Sequence, residues 1–239
     1  EPWALSPDYL ARLVQHYSEP VAEPLELALS GSHATPHRAS IAVIPVVGML
    51  THRATMLGSL MGATSIEEVR AAFRSALADK SVRAIILDID SPGGAVSGVP
   101  EFAAEIRAAR GRPGRPIVAV ANTMAASAGY WLASQADELV ATPSASVGGI
   151  GIYAVHQERS KALETEGVTT TIISSGAHKT EANEWQPLTD EARDALQERA
   201  DAYYEQFLAD VAKGRRVSVE QVRAGYGAGR PVMARKALS

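Results

Sequence analysis

The sequence predicts an α/β domain of repeated βα units around a largely parallel sheet, and three observations carry that prediction. Apolar strand-like runs alternate with helix-like runs along most of the chain. The run Val82-Arg83-Ala84-Ile85-Ile86-Leu87-Asp88-Ile89 reads as a buried strand that ends in the turn Asp90-Ser91-Pro92-Gly93-Gly94. A segment of small residues, Ala125-Ala126-Ser127-Ala128-Gly129-Tyr130-Trp131, stands between another strand-like run and a helix-like one.

Taken in order, Leu10, Leu13, Val14 and Tyr17 recur at helical spacing and predict a short amphipathic helix from Pro7 to Tyr17. A polar tether punctuated by Pro20, Pro24 and Pro36 follows to Ser40, so residues 1–40 read as a helix and tether ahead of one domain, 41–239. That domain opens with an apolar run from Ile41 to Leu50. A helix from Ser65 to Ala78 then places Ile66, Val69, Phe73 and Leu77 on one face, with Ser65 and Glu68 spaced as a capping box. Strand Val82 to Ile89, helix Gly98 to Ala109, strand Ile117 to Ala121 and helix Ala125 to Ser134 continue the alternation. Short strands are expected at Glu138 to Ala141 and Gly149 to Ala154, a helix near Gln157 to Glu166 and a strand from Val168 to Ile173. A long helix from about Asp190 to Lys213 carries Leu196, Ala200, Tyr203, Phe207 and Val211 on one stripe. The expected sheet is covered on both faces.

Composition narrows the chemistry. With 239 residues, 46% hydrophobic and 21% charged, the chain has the make-up of a globular domain able to bury a full core. A formal charge of −4 argues against nucleic acid as an electrostatic partner. The absence of cysteine excludes thiol catalysis, disulfides and thiolate metal sites. Two uncharged stretches, Pro116 to Ala136 and Leu139 to His156, are interrupted by Asn, Ser, Thr, Pro and Gly, which suits buried strands and small-residue helices better than a bilayer. No signal peptide is visible. The chain starts at Glu1 and stops at Ser239 without an evident ending, which leaves room for further residues at either end.

Ser127 has the setting of a nucleophile, between a strand and a helix start whose dipole favours a developing oxyanion. The bland alternative is an N-cap serine. The glycines of Pro92-Gly93-Gly94 are able to aim bare N–H groups at one point, as an oxyanion hole requires, although the same tripeptide is also a common turn. A serine needs a base. His16, His33 and His37 lie in the expected N-terminal helix and tether and His52 follows the first strand; a surface or loop role is the better reading of each histidine, with His156 and His178 kept as the minor candidates. Lys179, on the loop Ser175-Gly176-Ala177-His178-Lys179, serves if its amine is neutral; bringing a free lysine from about 10.4 toward neutrality costs about 4 kcal/mol of burial in an apolar site.

These motifs resemble the signal peptide peptidase A (SppA) family of serine peptidases, within the Clp-protease and crotonase-like superfamily. The resemblance rests on Asp90-Ser91-Pro92-Gly93-Gly94, Ala126-Ser127-Ala128-Gly129-Tyr130-Trp131, Thr142-Pro143-Ser144 with Gly148-Gly149-Ile150-Gly151-Ile152, and the Lys179 loop. It implies a Clp-protease/crotonase-like fold, Ser127 as nucleophile, Lys179 as general base, and the N–H groups of Gly94 and Ala128 as oxyanion hole, with no cofactor and no metal. It also implies a peptide or protein substrate and a ring-shaped homo-oligomer whose sites are shared between subunits. Ala128 replaces a glycine common in the family, and Gly149 replaces a serine that helps orient the lysine, which leaves Ser144, Ser146, water or backbone to do so. The helix and proline-rich tether, with no membrane anchor, resemble the tailed-phage branch that processes capsid or scaffold proteins, which implies the host cytoplasm. An anchor-free bacterial signal-peptide-degrading enzyme, a membrane-associated or extracytoplasmic protein shorn of its anchor, a weakly active structural homologue and a crotonase-like acyl-CoA enzyme are the alternatives.

Overall fold

A computed structural model describes residues 3–5 and 40–237. The helix expected from Pro7 to Tyr17 and the tether from Ser18 to residue 39 lie outside the described residues. The strands are β1 (Trp3–Leu5), β2 (Ser40–Thr51), β3 (Thr64–Ser65), β4 (Val82–Ala95), β5 (Ile117–Ala126), β6 (Glu138–Ala141), β7 (Ser146–Gly148) and β8 (Pro231–Met233). The helices are α1 (Met56–Leu60), α2 (Ile66–Ala78), α3 (Val99–Ala109), α4 (Ala128–Ala133), α5 (Ser160–Thr165), α6 (Asp190–Arg215), α7 (Val219–Gly225) and α8 (Ala234–Ala237). One sheet runs β3-β2-β4-β5-β7-β8, with β6 also paired to β5 and β1 to β4. The pairs among β2 to β7 are parallel; β1 on β4 and β8 on β7 are antiparallel. This is the α/β, mostly parallel architecture that the alternation predicts.

Along β2 the side chains alternate. Ile44, Val46 and Leu50 are buried, while Ile41, Val43 and Val47 are exposed. The buried set, with Ile85, Leu87 and Ile89 of β4 and Ile117, Ala119 and Ala121 of β5, belongs to one core with Ile66, Val69 and Phe73 of α2 and Phe102 and Ile106 of α3. The rings of Phe73 and Phe102 meet edge to face at 5.5 Å. The expectation of a sheet covered on both faces therefore fails at β2, because the helical layer buries one face only.

Local chemistry fixes the helices. The Ser65 side chain accepts a hydrogen bond from the Glu68 N–H at the start of α2, as its spacing predicts. Arg70 and Arg74 of α2 both bind Glu105 of α3 and hold its carboxyl down at about 2. The α6 helix, expected to Lys213, runs to Arg215 and lays Phe207 on Trp131 of α4 at 4.2 Å with the rings nearly parallel. Beneath that stack the buried Asp210 accepts the Trp131 indole N–H at 3.1 Å and pairs with Arg107 of α3 at 3.2 Å. One carboxylate thus ties α3, α4 and α6 together. Asp210→Ala strands the Trp131 indole N–H and takes the carboxylate from Arg107, which among the described residues keeps only its bond to Gln135, and is expected to cost about 3 kcal/mol. A thermal melt should then show Tm lower by roughly 6–12 °C, with Asp210→Asn, which keeps an acceptor, falling less.

Candidate active site

The site begins where β5 ends. Residues Met124, Ala125 and Ala126 pair with Ser146, Val147 and Gly148 of β7, and the chain then reverses at Ser127 into α4. Ser127 has φ 53° and ψ −122°, a conformation that side-chain-bearing residues rarely adopt. Its N–H donates to the Gly148 carbonyl at 2.7 Å and its own carbonyl accepts the Trp131 N–H at 2.9 Å. The backbone is held on both sides of a strained strand-to-helix turn, the geometry that projects a nucleophile. Its hydroxyl makes no capping bond, so the N-cap alternative does not account for the residue. Ala128, the first residue of α4, has an N–H without an intrahelical partner.

β4 supplies the second half. Ser91 pairs with Ala125, and a Cβ built on Gly129 would lie 3.2 Å from the Ser91 Cβ, so the start of α4 packs directly on β4, which runs on as a strand to Ala95 where the sequence predicts a turn from Asp90 to Gly94, because Met49 and Leu50 of β2 pair with Gly93 and Gly94. The buried Ser91 hydroxyl donates to the Gly48 carbonyl at 2.7 Å and accepts the Gly93 N–H at 3.1 Å, which fixes this irregular end of β4. Sequence reasoning missed this role; the signal was a serine two residues before the first glycine of the pair. Gly94 is obligatory for packing, because a Cβ there would meet the Leu50 carbonyl oxygen at 2.0 Å. Gly94, Ser127 and Ala128 are therefore brought to one region by adjacent strands.

Lys179 has no bond to that region among the described residues. It is exposed on the turn that starts at Gly176, its N–H donating to the Gly176 carbonyl at 3.3 Å. Among the described residues its ammonium has no ion pair or hydrogen bond, and none joins it to Ser127. The histidine candidates are engaged elsewhere. His156 Nε2 lies 3.1 Å from the Asn183 carbonyl oxygen. His178 bonds Glu181 and sits 3.8 Å from Glu191, and these carboxylates raise its pKa. Ligand atoms of His178, Glu181 and Glu191 lie within 4.8 Å of one another, a spacing compatible with a cation, yet their mutual pairing accounts for the arrangement. Burial pushes Tyr130, three residues from Ser127, up to about 12, so it stays a neutral phenol and is no base near neutrality.

The strands expected at Gly149 to Ala154 and Val168 to Ile173 do not form; strand structure occurs instead at Ser146–Gly148. Only an isolated bridge at Tyr153 falls in these segments; β8, not either of them, pairs with β7, and Ile173 is left 94% exposed. The helix expected near Gln157 to Glu166 is shorter, Ser160–Thr165. Gly149 has φ +66°, and a Cβ there would sit 3.3 Å from Pro231 Cγ and 3.4 Å from the Ser127 nitrogen. A serine at this position would be strained and crowded by β8, which explains why this chain has glycine. Ser144 is exposed and Ser146 half-buried.

Residues 109–239 match the family model described as Peptidase family S49. The chain is 39% identical over 203 residues to the capsid assembly protease C of Escherichia phage lambda, covering 82% of this chain and 46% of that protein. It is 32% identical over 183 residues to protease 4 of Salmonella typhi, covering 77% of this chain and 29% of that protein. A putative signal peptide peptidase SppA of Enterococcus faecium is 31% identical over 145 residues, 61% of this chain and 42% of that protein. The chain spans less than half the length of each of these relatives. No helix among the described residues is long and apolar enough to cross a membrane.

Proposed function

Because this chain belongs to peptidase family S49, we propose that it is a serine endopeptidase in which Ser127 is the nucleophile and Lys179 of a neighbouring subunit the general base. The observation that carries the reading is the strained backbone of Ser127 at a strand-to-helix turn, packed against the Ser91-Pro92-Gly93-Gly94 end of β4. The reaction follows from the groups present. The Ser127 oxygen adds to a peptide carbonyl as its proton passes to the neutral Lys179 amine, and the new oxyanion is held by the N–H groups of Gly94 and Ala128. The lysine then gives that proton to the departing amine, which leaves an acyl ester on Ser127. Water, deprotonated by the same lysine, adds to the ester and releases the acid, restoring the hydroxyl. No metal or organic cofactor takes part.

The exposure of Lys179 in the single chain supports a site completed by a second copy. So does the exposed apolar face of β2, with Ile41, Val43 and Val47, which a closed ring would have reason to bury. Residues 41–239 would form the peptidase domain. The likeness to the lambda capsid assembly protease supports a capsid or scaffold protein as substrate, in the host cytoplasm, and the likeness to the putative SppA supports signal-peptide degradation as the other cellular setting.

The base assignment is tested by substitution. Lys179→Arg should be as damaging as Lys179→Ala, because a guanidinium keeps its proton at any working pH. The wild-type kcat/KM should rise with pH along one limb that reports the unprotonated base. A Lys179→Arg chain with near-normal hydrolysis of a fluorogenic peptide would remove lysine from the mechanism.

A further inference from the structure

We propose that Trp3–Leu5 is the chain's own occupant of the substrate strand's place, a built-in competitor that must leave before a peptide enters; this rests on the peptidase reading above. The argument is one of edges. A strand has two, and at Gly93 and Gly94 β2 takes one of them through Met49 and Leu50. β1 pairs with the same residues, Leu5 opposite Gly93, Ala4 opposite Gly94 and Trp3 opposite Ala95, so it lies on the other edge. Further back, that other edge carries β5, up to the Ser91 and Ala125 pair. β5 then leaves the sheet at Ser127. β1 therefore fills the gap that opens beside the nucleophile, along the strand that bears the proposed oxyanion donor Gly94.

An extended substrate needs this edge, because backbone pairing along it is what would hold a scissile carbonyl against Ser127 whatever its side chains. β1 uses the same backbone pairing in antiparallel sense, with only three residues. Residues 6–39 connect it to β2, and such a length of chain reaches on the order of 100 Å when extended. With only three residues paired, the strand is able to depart and return. Weak pairing under those conditions gives partial occupancy, which slows entry of substrate without blocking it.

The test uses the full chain with Ala4→Pro and Leu5→Pro together. Two successive prolines remove a backbone donor whichever of the two positions faces β4. With a fluorogenic peptide, KM should fall at least about twofold while kcat stays unchanged. A free peptide of residues 1–8, added at millimolar concentration, should raise the KM of the double variant again. Amide exchange of Gly93–Ala95 supplies a readout independent of catalysis, measured in a Ser127→Ala background: it should quicken when the prolines are present. Unchanged exchange together with unchanged KM would overturn the proposal. Faster exchange in chains that all fail to hydrolyse peptide would leave β1 on its edge and count against the peptidase reading instead.

Discussion

Ser127→Ala should abolish peptide hydrolysis, lowering kcat/KM by at least about 10⁴-fold, with the fold intact. The hydroxyl makes no bond that caps α4, and the backbone contacts of residue 127 to Gly148 and Trp131 survive in alanine. Alanine is also as strained as serine at φ 53°, so the melt should move little. Ser127→Gly sharpens the point. Glycine relieves the strain, and the variant should be more stable by about 1 kcal/mol while equally inactive. Inactive proteins that melt at or above the wild-type temperature would show that the conformation is maintained for chemistry. Hydrolysis by purified Ser127→Ala, with contaminating proteases excluded, would contradict the nucleophile assignment.

Mixing two dead proteins should bring activity back. If each site takes its serine from one subunit and its lysine from the next, Ser127→Ala and Lys179→Ala chains mixed in equal amounts and allowed to exchange should restore roughly a quarter of the sites, as a closed head-to-tail ring requires. Neither parent has an intact pair anywhere. The exposure of Lys179 in the single chain, with no bond to Ser127 among the described residues, is what makes this outcome expected. Mixtures that stay inactive although mass spectrometry shows mixed oligomers would put the pair within one chain.

The difference between what sequence showed and what it hid follows from the range of the forces involved. Helix α6 was legible because its apolar stripe and its flanking polar residues are local signals, and so was the apolar start of β4, whereas its Pro-Gly-Gly end reads locally as a turn and is held as strand by pairing with β2. Ser127 stood out by local signals as well. The strands expected at Gly149 to Ala154 and Val168 to Ile173 failed because strand propensity is a statement about neighbours, and neither segment pairs into the sheet. β1 has only three residues and no period to detect. The hydroxyl bridge of Ser91 to Gly48 joins positions far apart in sequence, so no local pattern announces it. The capping box of Ser218 and Gln221 at the start of α7 was present as a spacing and passed over. Lys179 is a different case: no bond among the described residues joins it to Ser127, so its proposed role rests on a second copy of the chain.

Labelling by a serine-directed fluorophosphonate, followed by peptide mapping, tests the central claim most directly. The reagent mimics the tetrahedral intermediate and reacts only with an activated hydroxyl, so one adduct per chain on Ser127 is expected, with hydrolysis lost in proportion and no adduct in Lys179→Ala. An adduct on another serine, or full peptidase activity in protein that takes up no label, would contradict the account.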